Sequence, residues 1–220
     1  MSDTKVTVAI STWNRLKELK RTVRSIQESS YPFVSVLVVV DGNENISEIA
    51  KLGVAVISNP VRMDYVVSMN RAAKLINGMM LYASDDLYFP KELISRAVKK
   101  FEEQFPSEDG LMGFDTASVP KNTKYAFGLM GKAFLDRFPE RQVFCLDYIH
   151  FGADNELGRF AESINRFYFF DELAVEHSRL LDSTFVLASK VRARDEDVRL
   201  ARLRRGLLWG KTFERLAWTR

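Results

Sequence analysis

Cysteine is almost absent from these 220 residues: Cys145 stands alone, which excludes an internal disulfide framework and a thiolate metal cluster. Long apolar runs are missing too, and none approaches the ~20 residues that cross a bilayer. The opening MSDTKVTVAIS has only a few apolar residues before the polar Ser11-Thr12-Trp13-Asn14-Arg15, so it does not read as a signal peptide. These absences predict a soluble, cytoplasmic protein in a reducing compartment. No G-x-G-x-x-G follows the first apolar run and no G-x-x-x-x-G-K-[ST] occurs anywhere, which removes the main support for dinucleotide and P-loop binding. There is no internal repeat and no low-complexity linker.

What is present suffices for one sizeable core, with 46% hydrophobic and 28% charged residues. The net charge of +3 is unevenly spread. Residues 183–220 hold ten Lys or Arg against four Asp or Glu, leaving 22 basic and 25 acidic residues in 1–182. The expected organisation is therefore a mildly acidic body over 1–182 and a basic extension over 183–220, an asymmetry that bears on partners.

The body alternates strand and helix. Residues 5–10 (KVTVAI) read as a first strand, and Leu16, Leu19, Val23 and Ile26 recur at helical spacing between Arg15 and Glu28. Val34–Val40 is almost wholly apolar, as in a strand covered on both faces of a parallel sheet, and Asp41-Gly42-Asn43 reads as the turn at its end. Ile46–Leu52 reads as a short helix, Val54–Ser58 as a strand, Asp64–Ile76 as a helix, Met79–Ala83 as a strand and Pro90–Phe105 as a helix. That order predicts an α/β fold with a doubly wound, mostly parallel sheet. Residues 110–150 look irregular. Asp154–Ser163 then reads as a helix, Phe167–Phe170 as a strand and Ser183–Arg205 as one long basic helix.

Ligands of open α/β sheets bind beyond the carboxyl ends of the strands. Four polar groups should converge there: Ser11 to Arg15, Asp41 to Asn43, Asn59 to Arg62, and Ser84-Asp85-Asp86. Two adjacent carboxylates beside a core repel one another and are costly to bury unless a cation compensates them. At a strand end, such a pair suits Mg²⁺ or Mn²⁺, which bridge carboxylates to substrate phosphates. The plainer reading of Asp85-Asp86 is a capped turn before the Pro90 helix. Asp41 is a candidate acceptor for a nucleobase N–H, and Trp13 offers a stacking face. Together these residues fit a nucleoside diphosphate.

The same residues resemble a known family, the inverting GT-A-fold glycosyltransferases of family two. Val6 to Arg15 resembles the family's first strand and T-Y-N-R-like turn, with Trp13 in the usual Tyr place. Val38 to Asn43 is similar to its second strand and D-D/G-S/N turn, and Asn70-Arg71-Ala72-Ala73 through Gly78 to the helix before the metal motif. Ala83 to Pro90 matches the D-x-D region in an x-D-D form, and Gly152 to Leu157 followed by Arg159 resembles the G-E-D-x-E-L…R segment. The five motifs span roughly residues 5–180. The resemblance implies a GT-A (Rossmann-like), mostly parallel sheet flanked by helices, here with a basic helical C-terminal extension.

Carried over by position, it implies that Trp13 stacks on the base, most often uracil, and that Asp41 hydrogen-bonds it. Thr12 and Arg15 would line the same pocket, Asp85 would sit near the ribose, and Asp86 would bind Mn²⁺ or Mg²⁺ on the diphosphate. Asp154 would be the general base toward the acceptor hydroxyl, with Glu156 and Asp147 as alternatives. His177 would complete the metal shell or touch the diphosphate; its plainer reading is a hydrogen-bonded structural histidine. Ala83 and Ala153 stand where many members carry acidic residues.

Arg62 is placed to reach the base or phosphates, or to be a solvated surface residue, and His150 to be structural or acceptor-side. In the extension, Val191, Val198, Leu200, Leu203, Leu207 and Leu208 form an apolar stripe ringed by Arg192, Arg194, Arg199, Arg202, Arg204 and Arg205. It reads as a helix packed on the body, as a membrane-surface anchor with Trp209, Phe213 and Trp218, or as a nucleic-acid contact. The corresponding acceptors are a glycan, a lipid-linked glycan or a hydroxylated nucleic-acid base. The expected function is metal-dependent transfer of a sugar from a nucleoside diphosphate donor. Its rivals are a nucleotidyltransferase, against which Ser11–Arg15 lacks glycine, and a catalytically inactive nucleotide-sugar or polyanion-binding module.

Overall fold

A computed structural model describes residues 3–42, 45–117, 124–178 and 181–211. Asn43, Phe213 and Trp218, named above, lie outside them. The first half follows the expected order, with one unexpected short strand, β5: β1 (Val6–Thr12), α1 (Leu16–Gln27), β2 (Val34–Asp41), α2 (Ile46–Ala50), β3 (Ala55–Asn59), α3 (Asp64–Leu75), β4 (Met79–Ser84), β5 (Leu87–Tyr88) and α4 (Leu93–Gln104). The segment expected to be irregular supplies two further strands, β6 (Leu111–Thr116) and β7 (Gly128–Met130), and a short helix α5 (Lys132–Leu135). After α6 (Ala153–Ser163) comes β8 (Phe167–His177), which runs well past the expected Phe170. The sheet order is β3-β2-β1-β4-β7-β6-β8-β5.

The centre of the sheet is parallel. β1 lies between β2 and β4, with Thr12 opposite Val40 and Ser11 opposite Ser84, and β2 places Asp41 opposite Asn59 of β3. β7 is antiparallel to both β4 and β6, while β6 and β8 are parallel. Alternation along β1 and β2 feeds two cores. Val6, Val8, Ile10, Val36, Val38 and Val40 pack with α1 and α4, whereas Ala9, Leu37 and Val39 pack with α3 and α6. Fully buried anchors such as Leu19, Val23 and Ile26 on α1 contribute about 1.5–3 kcal/mol each. Both faces are covered, which is why these strands read as continuous apolar runs.

The basic extension is not one helix. It is α7 (Ser183–Ser189) and α8 (Arg192–Arg204), joined by a tight turn in which Lys190 and Val191 donate to Leu187 and Ala188. α8 ends at Gly206 (φ 64°), whose N–H bonds to Leu203 while Leu207 reaches Arg202, the paired bonds of a left-handed glycine cap.

The break lets α8 dock through charge as well as through its apolar stripe. Arg202, 8% exposed, donates Nε and Nη2 to the two oxygens of buried Glu156 at 2.8 and 2.7 Å, and Nη1 to Asp147. Asp195, 1% exposed, accepts the backbone N–H groups of Ile149, His150 and Phe151 at 3.0, 2.8 and 2.8 Å. Burial opposes the Asp195 charge, yet those three amides and Arg194 outweigh it and hold the carboxyl below its ordinary value. A depressed folded pKa stabilises the fold above the unfolded value, about 3.9, and that contribution fades as pH falls through the folded one. Asp195→Asn should therefore be less stable than wild type at neutral pH, with the difference narrowing below about pH 4 in urea melts.

Candidate active site

The strand ends converge as the register requires. Asp41 is buried at the end of β2, where Oδ1 accepts from Asn59 Nδ2 at 2.8 Å and from the Met63 amide at 2.7 Å. Its Oδ2 accepts the Asp64 amide at 2.9 Å, so Asp41 caps α3 from a neighbouring strand. That leaves lone-pair capacity on Oδ2, since a carboxylate offers about four acceptor positions. Arg62 lies on this edge, its guanidinium carbon 4.8 Å from the centre of the Trp13 ring and its Nη2 donating to Asp64 at 2.6 Å. The structure thus brings Trp13, Asp41 and Arg62 together.

Asp85 and Asp86 are both buried beyond β4. Thr12 Oγ1 donates to Asp85 Oδ2 at 2.7 Å. The compensating cation in the structure is Arg15: its Nη1 lies 3.2 Å from Asp85 Oδ1 and 3.5 Å from Asp86 Oδ2. Its other edge forms a fork with Asp182, Nε to Oδ2 at 2.8 Å and Nη2 to Oδ1 at 2.7 Å. Asp182 also caps α7 by accepting the Phe185 amide, and Thr184 Oγ1 donates to the Trp13 carbonyl, so α7 is tied to the β1–α1 turn. No sequence pattern links Arg15 to Asp182, 167 residues away.

Burial opposes the charge of both carboxyls, and unequal partners drive them apart. Asp85 is pushed up to about 7 by desolvation and by the charge of Asp86, against Arg15 and Thr12. Desolvation also opposes the Asp86 charge, but bonds and charges from His177, Ser84 and Arg15 prevail and hold it below the ordinary value. Splitting of this kind is what neighbouring carboxylates with unequal partners show.

The short β5 explains how Asp86 meets His177. Leu87 pairs with His177 and the Ser178 amide bonds to the Asp86 carbonyl at 3.0 Å, so the end of β8 is laid beside the acidic pair. His177 Nε2 is 3.2 Å from Asp86 Oδ2. This is a direct hydrogen bond, the plainer of the two expectations for His177. About 3 Å also separates adjacent donors of an octahedral ion bound at about 2.1 Å, so a divalent cation would take both groups as ligands only by replacing the shared proton. Among the described residues no group of three or more His, Cys, Asp or Glu could hold a metal by itself. A cation here must take further oxygens from a substrate or from water.

Asp154 lies in the first turn of α6, half-buried, two residues past Gly152, whose φ of 90° begins the helix. Desolvation raises its pKa, although nearby amides and the Asn155 side chain oppose the shift. Its charge acts on the buried hydroxyls of Tyr65 and Tyr82, both held above their ordinary values chiefly by burial. Glu156 accepts Tyr148 Oη at 2.8 Å in addition to the Arg202 fork, and Asp147 is held by Arg202. His150, lowered by burial, lies within the fields of Asp64, Arg62, Asp195 and Arg15. Of the six arginines named in the extension, three meet the body: Arg192 over the Phe151 ring, Arg194 at the Asp147 carbonyl, and Arg202 at Glu156, while Arg199 pairs with Glu196 of its own helix. That favours packing on the body over a free polyanion face. No helix among the described residues is long and apolar enough to cross a membrane.

The sheet order and the acidic strand end define the α/β architecture of GT-A proteins. The chain belongs to glycosyl transferase family 2, whose family model matches residues 7–151. No curated protein matches it. Solved structures with the same fold include S. aureus TarS 1–349 (TM-score 0.65, 18% identity, covering 79% of this chain and 60% of that one). A mannosyltransferase from Pyrobaculum calidifontis, in complex with GDP-Man and Mn²⁺, gives a TM-score of 0.68 at 14% identity over 90% of this chain and 64% of that one. Glucosyl-3-phosphoglycerate synthase from Mycobacterium tuberculosis, in complex with Mn²⁺, UDP and glucosyl-3-phosphoglycerate, gives 0.61 at 15% identity over 86% and 78%. This chain thus spans less than two thirds of the TarS and mannosyltransferase chains.

Proposed function

We propose that this chain is a metal-dependent, inverting glycosyltransferase that moves a sugar from a UDP-linked donor to an acceptor hydroxyl. The observation that carries the reading is the approach of His177 Nε2 to within 3.2 Å of Asp86 Oδ2 at the carboxyl edge of a family 2 sheet. Trp13 stacks on the base, and the remaining lone pair of Asp41 Oδ2 accepts its N–H. Thr12 and Arg15 hold Asp85 toward the ribose, while Arg62 lines the base pocket. Asp86 and His177 would hold Mn²⁺ or Mg²⁺ on the diphosphate, where the bound ion offsets charge on the leaving group.

Asp154 takes the proton of the acceptor hydroxyl as that oxygen bonds to the anomeric carbon. The bond from that carbon to the diphosphate oxygen breaks, and the nucleoside diphosphate leaves with the electron pair. Glu156 is unsuited to this role, because Arg202 and Tyr148 occupy its oxygens. Desolvation raises the Asp154 pKa, as suits a carboxylate that must take a proton from an acceptor hydroxyl.

A thermal-shift panel with Mn²⁺ tests the reading. UDP and UDP-sugars should raise the melting temperature by several degrees, with nucleoside triphosphates doing less. A larger shift with triphosphates would favour nucleotidyl transfer, and no shift with any nucleotide would overturn the donor site.

A further inference from the structure

We infer that α8 is a positioning element for the acceptor side of the site, with Asp195 and Arg202 as its positioning residues. This rests on the assignment of Asp154 as the base. Three consecutive amides, those of Ile149, His150 and Phe151, point into one carboxylate that is nearly removed from solvent. A buried Asp holding successive N–H groups leaves that turn little conformational freedom. The turn is followed at once by Gly152, in a left-handed conformation, and then by the first turn of α6 with Asp154. Arg202 grips the same helix through Glu156, on the residue two beyond Asp154. One helix therefore clamps both sides of Asp154, from the turn before it and from the residue after it.

His150 is the middle residue of the clamped turn. Its Nδ1 is buried without a hydrogen-bond partner, 3.9 Å from Asp64 Oδ1, and the neighbouring Tyr65 hydroxyl is likewise unpartnered. Buried polar atoms without a partner are unfavourable, so unmet hydrogen-bonding capacity lies beside the clamped turn. Asp195 fixes the backbone that carries this ring, and the ring lies within the fields of Arg62 and Arg15 from the donor edge. The 149–152 turn is thus held toward the strand ends by a segment outside the matched family region of 7–151.

The test compares wild type with Asp195→Asn in the full chain. An amide in place of the carboxylate presents an N–H donor to backbone donors, so hydrogen exchange at residues 149–151 should accelerate by about tenfold or more. Mn²⁺-dependent UDP affinity should stay within about twofold. Acceptor-independent release of nucleotide from UDP-GlcNAc or GDP-mannose should fall about tenfold, as small misplacements of a catalytic group do. With only two histidines in the chain, the imidazole ¹H–¹⁵N spectrum should show the His150 signal moving and that of His177 unchanged.

Unchanged exchange at 149–151, or an unmoved His150 signal, overturns the clamp. Wild-type nucleotide release by Asp195→Asn, with Asp154→Asn inactive, overturns the positioning role alone. Wild-type release by Asp154→Asn overturns the base assignment instead. Should Asp195→Asn melt too low to assay, Arg202→Lys serves: it keeps one charge-assisted bond to Glu156 and loses the fork, so exchange in the first turn of α6 should rise and nucleotide release should fall.

Discussion

Asp154→Asn should bind its nucleotide donor with wild-type affinity and transfer sugar about 10²–10⁴-fold more slowly, the range that a positioned general base contributes. Asparagine has nearly the same shape and keeps an oxygen for the neighbouring amides, so α6 should start as before. It cannot take a proton. The pH dependence adds a second readout. Desolvation raises the Asp154 pKa, so the acidic limb of kcat in wild type should lie above the ordinary carboxylate value, about 3.9, with activity falling as pH drops through it. The residual activity of Asp154→Asn should lack that limb. Near-normal turnover in the variant would place the base elsewhere.

The second large effect is expected from Asp86→Ala, which should abolish Mn²⁺-dependent UDP binding in calorimetry. Asp86 Oδ2 faces His177, and Oδ1 accepts Ser84 Oγ at 2.5 Å, so the carboxylate is oriented from both sides. Alanine removes the charged member of the proposed ligand pair and leaves a single imidazole, too few protein donors for a hard cation. Loss of one of two like charges should also let Asp85 ionise more readily, because Asp86 is among the groups that raise it. The variant should therefore fold, which a thermal melt without nucleotide would verify. Metal-dependent UDP binding of wild-type strength would refute the proposed cation seat.

Much of the architecture could be read because it rests on local pattern. β1, β2 and β4 are apolar on both faces, a signature of central parallel strands, and α1 and α3 carry their core residues at helical spacing. β6 and β7 escaped because they carry few β-branched residues, and each contains a glycine pressed against other groups. A Cβ on Gly113 would come within 2.0 Å of the Lys124 carbonyl, and one on Gly128 within 2.6 Å of the Met112 carbonyl. Such strands show neither alternation nor the β-branched residues that mark a strand. The break between α7 and α8 carries no proline or glycine; it follows from tertiary docking of Asp195 and Arg202.

The grouping of the candidate site residues was legible for the same reason. Strand-end residues Thr12, Trp13, Asp41, Asp85 and Asp86 could be grouped because parallel topology forces their ends together. The contacts of Arg15 with Asp182, of Asp195 with the 149–151 turn and of Arg202 with Glu156 join residues tens to more than a hundred positions apart. No periodicity encodes such pairs. The sole trace is the acidic Asp195-Glu196-Asp197 inside an otherwise basic run.

The guanidinium shared by Asp85, Asp86 and Asp182 would make the proposed cation binding an exchange reaction. A divalent ion approaching Asp86 would meet an oxygen already paired with Arg15, so its affinity would reflect the difference between two sets of contacts rather than relief of bare repulsion. On the proposed site, an ion arriving alone would gain little over Arg15, whereas one arriving with a diphosphate would bring anionic oxygens for the same guanidinium to hold. The resident arginine would thereby tie retention of the metal to retention of the nucleotide.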